Sequence, residues 1–184
     1  SDHILIRDNK VNGSTFGIQL YGGYSNTILY NTVSNNPRGW GIYLAYSKTN
    51  SVTNNTMSRN DWGLTLYNST SNTIDGNTIS YNTYGISTFS YSSSNKIYHN
   101  NFISNVDQIS QDSTCTNRWW TTTTPYQGNY WSDYRGTDTN GDGIGDTLIP
   151  HLGVDYYPLM NTWPIPKRDI AILAIYESTN AAYI

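Results

Sequence analysis

Apolar and polar residues alternate in short runs along the first two thirds of the chain, and the runs return at a nearly constant interval. In Asn72-Thr73-Ile74-Asp75-Gly76-Asn77-Thr78-Ile79 an asparagine is followed by an aliphatic residue at +2, a second asparagine at +5 and a second aliphatic at +7; the triplet Tyr84-Gly85-Ile86 comes at +12 to +14. The reading repeats from Asn50 (Val52, Asn55, Met57, Trp62-Gly63-Leu64) and from Asn26 (Ile28, Asn31, Val33, Trp40-Gly41-Ile42), where Asn36-Pro37 lengthens the turn. It continues from Asn95 (Ile97, Asn100, Phe102, with a degenerate Asp107-Gln108-Ile109), and a first copy opens at Ile4 (Ile6, Asn9, Val11, Phe16-Gly17-Ile18). Starts at 4, 26, 50, 72, 95 and 117 lie 22, 24, 22, 23 and 22 residues apart. A period in that range is the signature of a solenoid.

Helical repeats need longer units and leucine-rich repeats need a leucine consensus, whereas the period-2 alternation within each unit marks short half-buried strands. At ~3.3 Å per residue a unit of this length traces about 70 Å, one circuit of a narrow prism, and strands of successive circuits pair ~4.8 Å apart. The expected fold is therefore all-β: a single-stranded parallel β-helix of about five coils over residues 1–117, right-handed because the hexapeptide period of left-handed β-helices is missing. Four inward columns follow. They are Ile6, Ile28, Val52, Ile74, Ile97; Val11, Val33, Met57, Ile79, Phe102; Ile18, Ile42, Leu64, Ile86, Ile109; and Leu20, Leu44, Leu66, which fades at Thr88. The asparagines form two further columns, Asn26 to Asn117 and Asn9 to Asn100, read as structural amide ladders.

Beyond Asn117 the period breaks. Arg118-Trp119-Trp120 and Gly128-Asn129-Tyr130-Trp131-Ser132-Asp133-Tyr134 place aromatic rings where further coils would stack, so residues 118–162 are expected to cap the apolar end of the solenoid. Trp163-Pro164-Ile165-Pro166-Lys167 reads as a stiff linker and Asp169–Ile175 as one more strand, so 163–184 is expected to lead into another domain. The chain also begins in mid-coil, as a piece of something longer would.

Charged residues make up 12% of the chain where ~25% is usual, with a net charge of -3 and no charge runs. Such a neutral polar surface has no electrostatic footprint for nucleic acid, and no apolar run is long enough to be a transmembrane helix. The lone Cys115 reads as a small buried hydrophobe; Asn12, Asn54 and Asn68 open Asn-x-Ser/Thr glycosylation acceptors.

The segment Asp138-Thr139-Asn140-Gly141-Asp142-Gly143-Ile144-Gly145-Asp146 carries candidate metal chemistry. A hard cation such as Ca²⁺ takes six to eight oxygens at 2.3 to 2.6 Å, and alternate residues of a tight loop converge on one point. Asp138, Asn140 and Asp142 stand at loop positions 1, 3 and 5, Gly143 supplies the turn at 6, Ile144 offers its carbonyl at 7 and Asp146 stands at 9. Position 12 is Ile149 rather than the bidentate Glu of an EF-hand, so a further ligand is expected from Asp133 or Asp155. With no flanking helices to move, the Ca²⁺ would be structural.

The repeated Asn-x-Ile-x-x-Asn-x-Ile…Gly-Ile-x-Leu, joined to the Gly128–Tyr134 and Asp138–Asp146 segments, resembles the NosD-like right-handed β-helix proteins of the carbohydrate-binding and sugar-hydrolase (CASH) group. The resemblance covers residues 1 to about 160, and implies an extracellular or cell-surface setting of the kind common in archaeal secreted proteins. Asp169 to Ile184 resembles the start of an immunoglobulin-like adhesion domain. The family also implies periplasmic copper binding, from which this sequence departs. His3, His99 and His151 are scattered, Met57 is an inward position and Cys115 stands alone, whereas copper of that type wants clustered soft ligands.

Enzymes built on β-helices use grouped acids on one face, and glycoside hydrolysis needs two carboxylates about 5 to 9.5 Å apart. No column of adjacent coils holds two acids: +3 reads Arg7, Leu29, Thr53, Asp75, Tyr98 and +4 reads Asp8, Tyr30, Asn54, Gly76, His99, with Asp75 and His99 close enough for a surface contact. Phe16, Trp40, Trp62 and Tyr84 each precede the coil glycine and should stack along one edge, with Tyr21, Tyr67 and Phe89 in a second row. They are the candidate glycan- or partner-binding aromatics, against a purely structural stack. The sequence thus favours a non-enzymatic extracellular structural or adhesion module whose partners are cell-surface glycans or neighbouring surface proteins. The rival is a polysaccharide lyase or glycoside hydrolase with catalytic coils outside this stretch.

Overall fold

The computed structural model describes residues 2–164, so most of the linker segment and the strand expected at Asp169–Ile175 lie outside the described residues. Each coil contributes three strands. Coil one holds β1 (Leu5–Arg7), β2 (Lys10–Asn12) and β3 (Phe16–Tyr21), and coil two β4 (Thr27–Leu29), β5 (Thr32–Ser34) and β6 (Trp40–Ala45). Coil three has β7 (Ser51–Thr53), β8 (Thr56–Ser58) and β9 (Trp62–Tyr67), and coil four β10 (Thr73–Asp75), β11 (Thr78–Ser80) and β12 (Tyr84–Phe89). Coil five has β13 (Lys96–Tyr98), β14 (Asn101–Ile103) and β15 (Asp107–Gln111), and the cap adds β16 (Tyr130–Trp131). Equivalent strands pair in parallel to give three sheets, β1-β4-β7-β10-β13, β2-β5-β8-β11-β14-β16 and β3-β6-β9-β12-β15. This is a five-coil parallel β-helix.

The register sets Ile6, Ile28, Val52, Ile74 and Ile97 opposite one another, and likewise Val11, Val33, Met57, Ile79 and Phe102. Ile18, Ile42, Leu64, Ile86 and Ile109 form the third column. The middle members are fully buried, while Ile6, Val11 and Ile109 at the ends are half-buried. At roughly 1.5 to 3 kcal/mol per buried aliphatic side chain, a coil offsets its chain entropy only when neighbours cover it. The fourth column ends where Leu66 meets Thr88, which is buried and donates its hydroxyl hydrogen to Gln111 Oε1 at 3.3 Å.

Tight corners connect the strands. The residue before each inward asparagine takes a left-handed conformation, as in Tyr30 (φ 55), Asn54 (φ 52), Gly76 (φ 68) and His99 (φ 55) ahead of Asn31, Asn55, Asn77 and Asn100. The following asparagine then satisfies the corner. Asn55 donates both its backbone N–H and its Nδ2 to Asn77 Oδ1 at 2.9 and 3.0 Å, and Asn77 repeats this to Asn100 Oδ1 at 3.0 and 2.9 Å. The column from Asn26 to Asn117 is built the same way. Two further columns were not read from the sequence: Asn36-Asn60-Asn82-Asn105, and a serine version, Ser47-Ser69-Ser92. Their signal was a polar residue after each remaining left-handed corner, at Arg59 and Tyr81 for instance.

The glycine of the aromatic-Gly-aliphatic triplet has a steric cause. A Cβ on Gly63 would lie 2.6 Å from the carbonyl oxygen of Gly85 in the next coil, and Gly41 and Gly85 face the same obstacle.

The cap continues the core rather than merely covering it. β16 pairs with β14, Trp131 stacks under Phe102 with ring centres 4.3 Å apart, and Asn129 extends the second asparagine column by accepting from Asn100 N and Nδ2, each at 3.0 Å. Asp155 is fully buried here. It accepts from Asn129 N at 2.8 Å, Trp131 Nε1 at 2.9 Å and Tyr157 N at 3.0 Å. Cys115 is buried and free.

Candidate functional site

The acidic loop is pre-curled by its own side chains. Asp138 accepts from Gly141 N at 2.7 Å and Gly143 N at 2.8 Å, Asn140 Oδ1 from Asp142 N at 2.9 Å, and Asp142 Oδ1 from Ile144 N at 2.9 Å. Gly141 and Gly143 have φ of 80° and 88°, which an L side chain would strain. Asp146 Oδ2 accepts from Thr139 N at 2.7 Å and Thr139 Oγ1 at 2.6 Å, and these bonds hold its carboxyl below the usual range. An ionised carboxylate has about four lone-pair sites, so these acids keep acceptor capacity for a cation.

Of the two expected extra ligands, Asp155 is buried away from the loop while Asp133 is exposed and has one oxygen already engaged. Asp155 is turned into the cap interior by its N–H donors, and Asp133 Oδ1 is engaged by Gln108 Nε2 and His151 Nε2, each at 3.3 Å. Burial alone would push Asp155 further, but the opposing N–H groups limit the rise to about 6. Among the described residues no three His, Cys, Asp or Glu side chains are grouped to hold a metal, so a hard cation in the loop would rely on Asn140, carbonyls and water as well. The loop is tied to the solenoid: Gly145 N donates to Pro158 O at 2.8 Å, Met160 N to Gly143 O at 3.0 Å, and Leu159 bridges to both Ile144 and Tyr130 of β16.

The aromatic column is a continuous stack. Ring centres lie 4.7 Å apart for Phe16–Trp40, 5.0 Å for Trp40–Trp62 and 5.6 Å for Trp62–Tyr84, with planes within 5, 14 and 16° of parallel. Each inner ring therefore has both faces covered by its neighbours and offers only an edge. In the second row Ala45 interrupts the register between Tyr21 and Tyr67, and Tyr46, missed in the sequence, fills the gap at 5.3 and 5.6 Å from their rings. Its signal was position: it follows Ala45 at a left-handed corner.

Asp75 and His99 do meet, with Nδ1 3.2 Å from Asp75 Oδ1. The His99 Nε2 lies 3.1 Å from Gln127 Oε1, Trp163 stacks on the ring at 3.7 Å, and Asn101 clasps Trp163 through two hydrogen bonds of 2.8 and 2.7 Å. Both ring nitrogens and one ring face are occupied. The contact is thus a clasp on the chain leaving the cap, and neither Trp163 nor Gln127 was expected there, because both come from segments outside the repeat.

With this geometry in view, the family profile described as "Periplasmic copper-binding protein (NosD)" matches residues 1–136. The chain belongs to the NosD family. It is 40% identical over 65 residues to a protein of Stutzerimonas stutzeri named "Probable ABC transporter binding protein NosD"; the shared stretch is 35% of this chain and 14% of that protein. The chain therefore spans only a small part of that relative. NosD membership accounts for the coils, while the acidic loop lies beyond the matched residues.

For the copper of the NosD description, the candidate soft donors among the described residues stand apart. His99 is bonded to Asp75 and Gln127 on the solenoid flank, His151 sits in the cap beside Asp133, Met57 is sealed in the core and Cys115 is buried alone. Copper of that type is held by clustered soft ligands. No described helix is long and apolar enough to cross a membrane.

Proposed function

We propose that this NosD-family chain is a structural and adhesive β-helix module of a cell-surface protein, with a calcium ion bracing its cap and no catalytic role of its own. The observation that carries this reading is the use of the polar groups. The asparagine columns consume their own side chains in the ladder, the acids of the coils are dispersed, and the His99 ring beside Asp75 is stacked under Trp163. The proposed partners are surface glycans or neighbouring surface proteins. Because the stacked column exposes edges, a sugar ring would find better faces on Tyr21, 69% exposed, and Tyr46, 45% exposed. The Tyr21→Ala/Tyr46→Ala variant should lose binding on a glycan array or to intact envelopes, and an unchanged profile refutes the glycan part.

Calcium would draw Asp138, Asn140, Asp142, the Ile144 carbonyl and Asp146 together. Since Ile144 and Leu159 link the loop to β16, ordering it would stabilise the cap. Chelation should lower the melting temperature, and Asp142→Ala should remove that sensitivity. Identical melting of metal-free and calcium-loaded protein would sink this claim. The rival enzymatic reading is tested with the complete gene product: polysaccharide cleavage that survives deletion of these coils would assign catalysis elsewhere.

A further inference from the structure

Adjoining hollows run from the corner between the second and third sheets at coil one to the edge of β15 beside the cap, and together form a groove. Three hollows of about 210, 410 and 530 Å³ follow one another there; the first two share Pro37 and the last two share Val106. The groove starts at coil one and ends against the cap. Its first two hollows lie beside the left-handed corners at Gly13, Asn35, Arg59, Tyr81 and Ser104, where the chain turns sharply.

The charge along it is segregated. Arg38 and Arg59 line the end toward coils two and three, with no carboxylate among the lining residues there, and neither has an ion-pair partner among the described residues. Arg59 lies instead over the Tyr81 ring, 5.7 Å from its centre. Asp107 and Asp133 line the other end, with no basic residue in its lining. Between them stand Tyr81, 57% exposed, and Val106, 78% exposed, a degree of exposure the core does not require. Asp61 stands on the same corner but does not line the groove.

We infer that this groove is a docking site for an extended polypeptide segment whose one end is acidic and whose other end is basic, with small apolar or hydroxylated residues between. Five coils at ~4.8 Å make a track of roughly 20 Å, which an extended strand of about six or seven residues at ~3.3 Å each would fill. Acidic side chains pair with Arg38 and Arg59, and the middle residues cover Tyr81 and Val106. Basic side chains pair with Asp107 and Asp133. The ladder already uses the backbone groups of the coils, so recognition is by side chains and charge order rather than by an added strand. A neutral glycan has no use for such polarity. This extends the adhesive role proposed above without depending on the calcium loop or the tyrosine row.

The test uses the full chain and two fluorescein-labelled heptapeptides of identical composition. One carries two glutamates at one end, two lysines at the other and Thr-Val-Thr between; the other has the same residues with the charges interleaved. Fluorescence anisotropy at low salt should show the segregated peptide binding at least fivefold tighter. Arg59→Glu and Asp107→Lys, each confirmed folded by circular dichroism, should each weaken it at least threefold, and 0.5 M NaCl should abolish the difference. Equal binding of the two peptides, no binding at millimolar protein, or binding unaffected by both substitutions overturns the inference. So does displacement of the peptide by a neutral oligosaccharide, which would make the groove a glycan site.

Discussion

Replacing Asn77 by alanine tests the proposal that amide columns, and not only apolar columns, hold the solenoid together. The side chain of Asn77 accepts from Asn55 N and Nδ2, and donates to Val52 O at 2.8 Å, Asp75 O at 3.1 Å and Asn100 Oδ1 at 2.9 Å. It is fully buried in the middle of its column. Truncation leaves the backbone N–H of Asn55 without its acceptor. Asn55 Nδ2 still reaches Ile28 O and Thr53 O, so that group is only partly deprived. One orphaned buried donor plus weakened bonds at three acceptors, at ~1–3 kcal/mol for a lost buried partner, predicts a loss of about 2–5 kcal/mol. That is a large share of the ~5–15 kcal/mol typical of a domain. Urea unfolding followed by tryptophan fluorescence and circular dichroism gives the number, with the exposed Asn12→Ala as a control expected within about 0.5 kcal/mol of wild type. Hydrogen exchange should show the loss centred on coils three and four, because each coil contacts its neighbours alone. A cost under 1 kcal/mol, or one equal to that of Asn12→Ala, would refute the ladder as a source of stability.

Gly63→Ala should be among the more damaging small substitutions, lowering stability by more than about 2 kcal/mol through forced backbone movement against Gly85 O; thermal unfolding checks this, and a neutral effect would mean that the coils can separate locally. Asp155 supplies a pH dependence: burial raises its pKa from 3.8 to about 6, so the folded state binds the proton more tightly than the unfolded state. Its contribution is complete below pH 3.8 and is lost as pH rises through about 6, which at ~1.4 kcal/mol per pKa unit amounts to about 3 kcal/mol. Comparing urea midpoints at pH 4 and pH 7 in wild type and Asp155→Asn isolates it, and the same pH difference in both proteins would contradict the assignment.

The coil period, the inward columns, two of the asparagine columns and the aromatic stack were all legible before any coordinates, because a solenoid folds locally in one dimension. Equal positions in successive repeats become neighbours, so a one-residue pattern such as Ile28, Val52, Ile74, Ile97 is already a contact map. The acidic loop is local in a different sense, nine consecutive residues curled by their own hydrogen bonds. Tertiary structure decided what the repeat could not encode. It turned Asp155 inward against Asn129 and Trp131, brought Trp163 back over His99, and made Asn129 the next step of a column whose regular spacing stops at Asn100. These contacts join segments of unlike sequence and unequal spacing, so no periodicity announces them. The orientation of the aromatic rings belongs to the same class: spacing put Trp40 next to Trp62, but only packing decided that they meet face to face and present their edges to solvent.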